Sequence, residues 1–284
     1  MRVALATCRD LYVDDDTPLL LTALSDYNLA VDLVAWDDDA YDWSLTDLVV
    51  IRSTWDYTNN VDAFRTWVAS LPRVLNTSEM VSWNTDKHYL AQLHDRDIPI
   101  IPTVFADVGV APIFPDGDFV VKPTVGAGSK DAARYHEDQH AEAAAHVHRL
   151  HESGRDVIVQ PYVSSIDSEG EMAYVFIDGA LSHVMRKGAM LNSREEDRSG
   201  LFRAEQMSRA DSDADALALA HRVLHAADAT EALYARVDLC RLDKEWVLME
   251  LELTEPSLFL VFAPEAADRL AEAIAARVGA SARF

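Results

Sequence analysis

Positive charge is scarce in this 284-residue sequence. It carries 25 Lys and Arg against 48 Asp and Glu, which gives a formal net charge of −23 at pH 7. A field of that sign repels phosphate at long range, which argues against nucleic acid or an anionic membrane as the main partner. An anionic substrate would therefore need local basic residues or a metal ion around it. The alternative interpretation of the acidity is an ordinary soluble surface.

Cysteine and long apolar runs are scarce as well. Cys8 and Cys240 each lie in an apolar, strand-like stretch, which favours small core residues in a reducing compartment over a disulfide. No apolar run approaches the length of a membrane span, and the N-terminal MRVALATCRD lacks the basic-then-apolar pattern of a signal peptide. These absences predict a cytoplasmic protein.

Glycine is missing where a dinucleotide fold needs it. The first apolar strand, MRVALAT, runs into CRDLYVDDD, so NAD or FAD binding is not expected. A later loop, which includes Gly126, Gly128 and Ser129, can bring backbone N–H groups close to an anion. It is not a Walker A loop, because no Gly-Lys-Ser/Thr opens a helix after it. A plain flexible hairpin is the alternative for this loop.

Strands and helices alternate at the start of the chain, which predicts a small parallel sheet with helices on its faces. Ligands bind beyond the carboxyl ends of the strands in such sheets. The third predicted strand ends in a polar run that consists of Arg52, Ser53, Thr54, Trp55 and Asp56. We expect a substrate pocket here, with Arg52 as the anion partner and Trp55 or Tyr57 as a wall. A capped helix start at Asp56 or Thr58 explains those two residues equally well.

Residues 234–257 read as a β-hairpin with Asp243 and Lys244 in its turn. Alternate side chains of a strand share a face, so Glu250 and Glu252 face the same way, and Asp238 on the partner strand lies across from them. Carboxylates that converge on a covered face need a cation, and oxygen-rich acidic sites suit Mg²⁺. The alternative is a solvated sheet face that carries charge.

The motifs after residue 84 follow an ordered pattern. It consists of Lys87 on a helix, Lys122 at a strand end, the Gly/Ser loop, Gln160-Pro161-Tyr162-Val163, Gly170-Glu171, Arg186-Lys187 and the acidic hairpin. This order resembles the ATP-grasp superfamily, to which glutathione synthetase and D-alanine–D-alanine ligase belong. The resemblance implies an α/β fold: a parallel N-terminal domain (1–83), a lid subdomain (84–158) and a C-terminal subdomain (159–284). The two ATP-grasp subdomains would sandwich the nucleotide with antiparallel sheets.

The resemblance also implies a role for each matching position. Lys87 and Lys122 would hold the α- and β-phosphates, Gly126, Gly128 and Ser129 would close over them, and Gln160, Pro161, Tyr162 and Val163 would bind adenine. Glu171 would bind the ribose, Arg186 or Lys187 would face the γ-phosphate, and Arg236 would lie near the acceptor phosphate. Asp238, Glu250 and Glu252 would hold two Mg²⁺. The family usually has asparagine in place of Glu252, and glutamate remains a competent oxygen ligand.

Enzymes of this superfamily phosphorylate a carboxylate with ATP, and an amine attacks the acyl phosphate. The stretches RSTWDYTNN, WNTDKHYL, MRKG and MELELTEPSLFL are similar to those of a group of compact actinobacterial-type ATP-grasp proteins, which includes the cyclo-ligase family that closes O-ureido-D-serine to D-cycloserine. That likeness implies a ligase of antibiotic biosynthesis that uses ATP and Mg²⁺ on a small amino-acid-like substrate. We expect the substrate to contact residues 52–56, Thr254 and the arginines of a long polar loop, Arg194, Arg198 and Arg203.

Three alternatives remain open at this stage. The chain can be an ATP-grasp ligase that joins two separate substrates, such as two amino acids or a peptide and an amine. It can be a metal-dependent hydrolase that uses the acidic hairpin without a nucleotide. It can also be a nucleotide-binding protein without turnover. The oligomeric state is open as well.

Overall fold

The computed structural model describes residues 1–9, 14–188 and 207–279. The N-terminal part forms the predicted parallel sheet, with strand order β2-β1-β3-β4. Its strands are β1 (Arg2–Thr7), β2 (Ala30–Ala35), β3 (Leu48–Ile51) and β4 (Val74–Leu75), and its helices are α1 (Asp16–Leu24) and α2 (Val61–Ser70). Helix α1 packs on one face and α2 on the other. Alternating strands and amphipathic helices therefore form the predicted architecture.

A second, antiparallel sheet of four strands follows two short helices, α3 (Ser78–Asn84) and α4 (Tyr89–His94). Its strands are β5 (Val104–Ala106), β6 (Phe119–Pro123), β7 (Ala133–Tyr135) and β8 (Val157–Pro161), in the order β5-β8-β6-β7. Helix α5 (His140–Glu152) covers this sheet through Ala143, Val147 and Leu150. The apolar side of an Ala-rich helix thus completes the core of a small subdomain.

The third sheet is antiparallel and has five strands in the order β11-β10-β9-β12-β13. They are β9 (Glu171–Ile177), β10 (Ala180–Lys187), β11 (Met207–Arg209), β12 (Tyr234–Leu242) and β13 (Glu245–Glu252). The helices of this region are α6 (Ser165–Glu169), α7 (Ala214–Ala226) and α8 (Glu265–Val278). Helix α7 shares a core with α4 on this sheet, while α8 packs between α1 and the far end of the sheet. The three sheets together confirm the predicted fold class.

The predicted hairpin is confirmed, including its turn and its facing residues. Asp243 and Lys244 have φ of 51° and 74°, as a tight two-residue turn between β12 and β13 requires. Asp238 pairs with Glu250 and Arg236 with Glu252. The register shifts between Asp238 and Leu239, which makes Met249 the extra residue of a β-bulge.

Some local predictions need correction. The helix expected from Asp86 begins at Tyr89, and the strand expected over residues 98–105 is regular only over Val104–Ala106, with one isolated bridge from Ile100 to Leu248. Residues 55–59 form a 3-10 helix after Thr54, and α2 then begins with Asn60 as its cap, since the Asn60 side chain accepts from the Ala63 amide. The capped start is therefore shifted from the expected positions.

The division at 83/84 and 158/159 stays a prediction. Strand β8 spans the second of these boundaries and pairs with β6 over its whole length and with β5 over residues 157–159. In the parts of the chain that are described, no helix is long and apolar enough to cross a membrane.

The segment that follows β13, residues 254–260, is fixed by side chains from distant parts of the chain. Asp16 accepts from the Leu258 and Leu260 amides (2.7 Å each). Two side chains that follow β3 donate to backbone carbonyls of the segment: Arg52 to Pro256 (2.9 Å) and Trp55 to Glu255 (3.1 Å). Two side chains of the third sheet do the same: His183 donates to the Leu258 carbonyl (2.8 Å) and Arg236 to the Ser257 carbonyl (3.1 Å). We call these seven residues the clamped segment. Because its backbone groups are paired through fixed side chains, it holds one position between the first and third sheets.

His183, one of the groups that hold the clamped segment, makes stability depend on pH. It is 5% exposed, and burial lowers its pKa to about 4. Since an unfolded histidine has a pKa of about 6.5, the unfolded chain takes up a proton below pH 6.5 that the folded chain excludes, so stability falls as the pH falls from 6.5 to 4. We expect His183→Gln to lose about 2 kcal/mol less free energy of unfolding than the wild type between pH 6.5 and 4.5, as measured by urea denaturation.

The matched control for this prediction is His148→Gln, because His148 lies on the exposed side of α5. Its stability should follow the wild-type pH curve. If the curves of His183→Gln and wild type were parallel, His183 would not be the group that titrates.

Candidate active site

Residues from the second and third sheets and from the 3-10 helix after β3 line one cavity, and most of the predicted site residues are among them. Those that line it are Trp55, Lys87, Lys122, Gly126, Gly128, Ser129, Gln160, Pro161, Tyr162, Val163, Glu171, Lys187, Arg236, Glu250 and Glu252. Asp238 lies directly beneath, 2% exposed, with its carboxylate bonded to Lys187 and Arg236. Predictions made from separate motifs thus converge on a single place.

Several predicted substrate residues lie behind the cavity wall instead. Arg52, Ser53, Thr54 and Thr254 are each at most 1% exposed, and none lines the cavity. The Arg52 guanidinium packs 5.0 Å from the centre of the Tyr234 ring and donates to the clamped segment. The polar strand end is covered because a segment about 200 residues later in the chain folds over it. These four positions support the wall of the cavity and do not form it.

Asp56 also points away from the cavity. Its carboxylate accepts from the Trp36 indole (2.8 Å) and from the Arg9 amide (3.4 Å), which fixes it at the edge of the first sheet. Trp55, its neighbour, does line the cavity. Arg194, Arg198 and Arg203 lie outside the described residues.

The consecutive basic residues at the end of β10 face opposite sides of the sheet. Lys187 is 5% exposed and lines the cavity, whereas the exposed Arg186 side chain donates to the carbonyls of Ser168 and Glu169. Successive strand residues alternate between faces, so only one of the pair can reach the site. The structure brings Lys187 to the cavity and not Arg186.

Buried charges on the floor of the cavity are paired with one another. Lys187 bridges Glu171 and Asp238 (2.9 Å to Asp238), and Arg236 bridges Asp238 (3.0 Å) and Glu252. Burial alone would raise the pKa of Asp238, but Arg236 and Lys187 outweigh it and hold that pKa below its usual range. Asp238 is therefore ionised and anchors both cations.

Two further lysines line the cavity, and both are predicted to hold phosphates. Lys87 contacts the Glu250 carboxylate (3.0 Å) and the Gly126 carbonyl (3.0 Å). Burial lowers its pKa, but the carboxylates of Glu250, Glu252 and Glu255 together raise that pKa by more. Burial lowers the pKa of Lys122. The whole chain has five lysines, and four of them line this cavity: Lys87, Lys122, Lys130 and Lys187. In a chain of net charge −23, that concentration of positive charge is specific to the site.

Apolar side chains line the other end of the cavity, near β8. Ile101, Val163 and Met249 belong to one apolar cluster there. The Gln160 amide nitrogen donates to the Thr103 hydroxyl (2.9 Å), and that hydroxyl donates to the Ile101 carbonyl (2.7 Å). This chain of bonds orients the Gln160 amide so that its oxygen is the atom presented as an acceptor.

Some cavity residues were not assigned from the sequence. Glu255, Ser257 and Phe259 line the cavity from the clamped segment, and Asn84 and Thr85 line it from the end of α3. The only signal for Glu255 was its position shortly after the acidic strand. No periodic pattern marks the clamped segment, because it is neither helix nor strand.

Comparison with known proteins identifies the family. The chain is 36% identical over 283 residues to the cycloserine biosynthesis protein DcsG of Streptomyces lavendulae, covering 94% of this chain and 95% of that protein. The family described as the N-terminal domain of D-cycloserine synthetase DcsG matches residues 3–76. This chain belongs to the D-cycloserine synthetase family. It is an ATP-grasp ligase, and the predicted ATP-dependent ligase class is confirmed.

Solved structures agree with this assignment. The crystal structure of D-cycloserine synthetase DcsG matches with a TM-score of 0.87 at 34% identity, covering 98% of this chain and all of that one. The ATP complex of D-alanine–D-alanine ligase from Bacillus anthracis matches at 0.65 and 14% identity, covering 98% and 97%. A RimK-domain ATP-grasp protein from Sphaerobacter thermophilus matches at 0.68 and 18%, covering 96% and 99%. These two distant structures show the fold alone.

The bond from Gln160 to Thr103 predicts a change in nucleotide selectivity. In Thr103→Val the amide of Gln160 loses its partner and can rotate, so that its oxygen no longer keeps the orientation predicted to accept from the adenine amino group. We expect KM for ATP to rise about fivefold and the preference for ATP over GTP to fall about fivefold, in line with one lost hydrogen bond. Steady-state kinetics with both nucleotides measure this.

Thr66→Val is the control, because Thr66 is exposed on α2 and bonds only within that helix. Unchanged selectivity in Thr103→Val would mean that Thr103 does not orient Gln160.

Proposed function

We propose that this chain is an ATP-dependent cyclo-ligase that closes O-ureido-D-serine to D-cycloserine. The observation that carries the proposal is 36% identity over 94% of the chain to a protein of cycloserine biosynthesis. The cavity supports it, because four cations and several carboxylates converge where phosphoryl transfer to a small carboxylic acid would need them.

The proposed reaction has three steps. The γ-phosphoryl group of ATP is transferred to the substrate carboxylate, which gives ADP and an acyl phosphate. The substrate's own ureido nitrogen, the one bonded to oxygen, attacks the carbonyl carbon, so that a C–N bond forms and phosphate leaves, with the N–H proton released. One water molecule then removes the carbamoyl group as carbon dioxide and ammonia.

Four basic side chains would neutralise the phosphates. Lys87 and Lys122 would hold the α- and β-phosphates, and Lys187 would face the γ-phosphate. Arg236, fixed by Asp238 and the Ser257 carbonyl, would stabilise the acceptor phosphate. Because these groups are held before substrate binds, they stabilise transferred charge without having to reorganise.

The Gly/Ser loop would cover the phosphates with its backbone. Gly128 and Ser129 have φ of 60° and 59°, a conformation in which consecutive N–H groups can point into one concavity. Lys130, next in the chain, donates to the Asn59 side chain (3.0 Å) and so connects the loop to the N-terminal part. A cover of this kind excludes water from an acyl phosphate, which would otherwise hydrolyse.

The acidic hairpin fits Mg²⁺ in its chemistry. Burial raises the pKa of Glu252 to about 8, with nearby carboxylates adding to the effect, so a bound cation would relieve an unfavourable charge there. Among the residues that the structure describes, no group of three acidic, His or Cys side chains is arranged to enclose a metal by itself. Glu250 and Glu252, with Asp238 behind them, would hold the ion together with phosphate oxygens. When bound, Mg²⁺ neutralises phosphate charge.

We expect Mg²⁺ to bind with the nucleotide and through these carboxylates. A non-hydrolysable ATP analogue with Mg²⁺ should raise the melting temperature of the wild type by several degrees, as ligands of the native state do. In Glu250→Gln and Glu252→Gln, most of the Mg²⁺-dependent rise in melting temperature should be lost. Glu245→Gln, an exposed residue on the same strand, should keep it. Equal Mg²⁺-dependent shifts in all four proteins would exclude the hairpin as the metal site.

The proposed function is tested by offering O-ureido-D-serine as the only amino-acid substrate with ATP and Mg²⁺. We expect phosphate release and a product with the mass of D-cycloserine. Lys187→Met should lower turnover by about 10³-fold, as loss of a charge that stabilises a transition state does, whereas Arg186→Met should stay close to wild type. Activity only with an added amine would replace cyclisation by a ligase with two substrates, and turnover without ATP would indicate a hydrolase.

A further inference from the structure

Five carboxylates lie around the cavity, and they differ in whether a cation of the protein contacts them. Four of them contact a cation of the protein itself: Glu171 and Asp238 contact Lys187, Glu250 contacts Lys87, and Glu252 contacts Arg236. The fifth is Glu255. Among the residues that the structure describes, no Lys, Arg or His nitrogen lies within 4.0 Å of its carboxylate.

Glu255 is nevertheless buried and held in place. Its residue is 9% exposed and lines the cavity, and its backbone carbonyl accepts from the Trp55 indole (3.1 Å). Lys87, from beyond 4.0 Å, and the neighbouring Tyr57 hydroxyl lower its pKa, but burial outweighs them. Burial raises its pKa to about 7. A buried carboxylate on a fixed backbone with no adjacent cation is a ready site for a cation that arrives with a ligand.

The substrate class of the proposed function carries such a cation. An amino acid brings a carboxylate, which must approach the lysines and Arg236, and an α-ammonium group, which these cations repel. The ammonium group has three N–H donors and needs anionic or neutral acceptors. Glu255 and Tyr57 supply both on the same wall, which the clamped segment and the residues after β3 form together.

We propose that Glu255 binds the α-ammonium group of the amino-acid substrate, with Tyr57 as a supporting acceptor, and is a specificity-determining residue of this enzyme. This inference rests on the proposed function. It gives the N-terminal sheet a direct part in substrate selection, because Trp55 and Tyr57 follow β3 and hold this wall.

The test compares two substrates in two proteins. One substrate is O-ureido-D-serine, and the other is its des-amino analogue, in which hydrogen replaces the α-ammonium group. The wild type should prefer the first in kcat/KM by about 100-fold, as expected when a buried charge pair is broken. In Glu255→Gln this preference should fall to within about threefold, mainly because KM for O-ureido-D-serine rises. Glu255→Asp should recover part of it, and Glu245→Gln should behave as wild type.

Each other outcome overturns the inference in a distinct way. If Glu255→Gln lowers kcat equally for both substrates, Glu255 acts on the reacting groups or on the fold. If it instead abolishes the Mg²⁺-dependent stabilisation by an ATP analogue, Glu255 is a metal ligand. An undiminished preference in Glu255→Gln locates the ammonium site elsewhere. If the wild type turns over neither substrate, the proposed function fails and this inference fails with it.

Discussion

The carboxylate of Asp238 is the group on which the site depends. It is almost fully buried and is tolerated there because Arg236 and Lys187 both bond to it. Removing Lys187 would leave Glu171 without a contacting cation, and removing Arg236 would leave Glu252 without one, which costs far more than losing a pair as a unit. The same two cations also contact Glu171 and Glu252, so one ionised side chain on β12 organises residues from β9, β10 and β13. The antiparallel register, with Asp238 opposite Glu250, is what puts these strands' side chains on one face.

This pairing explains how a strongly acidic chain can accept a nucleotide. Long-range repulsion from a net charge of −23 is screened over a Debye length of about 8 Å at physiological salt. Inside the cavity, Lys87, Lys122, Lys187 and Arg236 supply positive charge on largely buried side chains, where charge acts more strongly than at the surface. Each comes from a different element of the chain, so the positive region exists only in the folded protein. Composition alone therefore predicts the sign of the surface charge but not the positive charge inside the cavity.

The sequence predicts the parts of the fold that depend on a short repeating pattern of side chains along the chain. The alternation of β12 and β13 gives the shared face of Glu250 and Glu252, and the turn residues give the hairpin. The same alternation implies that only one of Arg186 and Lys187 can face the cavity, but not which, because that depends on pairing with β9. Arg52 shows a different limit. Its strand end has the polar residues of a binding site, yet a segment about 200 residues away covers it, and no local pattern encodes that contact.

The clamped segment connects the N-terminal part of the chain to the wall of the cavity. The fold is shared with ATP-grasp structures of 14–18% identity along nearly the whole chain, and residues 3–76 also match the family described as the N-terminal domain of D-cycloserine synthetase. Side chains of that N-terminal domain, Asp16, Arg52 and Trp55, fix the backbone from Glu255 to Leu260. Those contacts fix one wall of the cavity, whereas Lys87 and Lys187 are held by ion pairs with Glu250, Glu171 and Asp238. A substitution that shifts the clamped segment can therefore alter this wall without breaking the ion pairs of the lysines, because the two are held by different contacts.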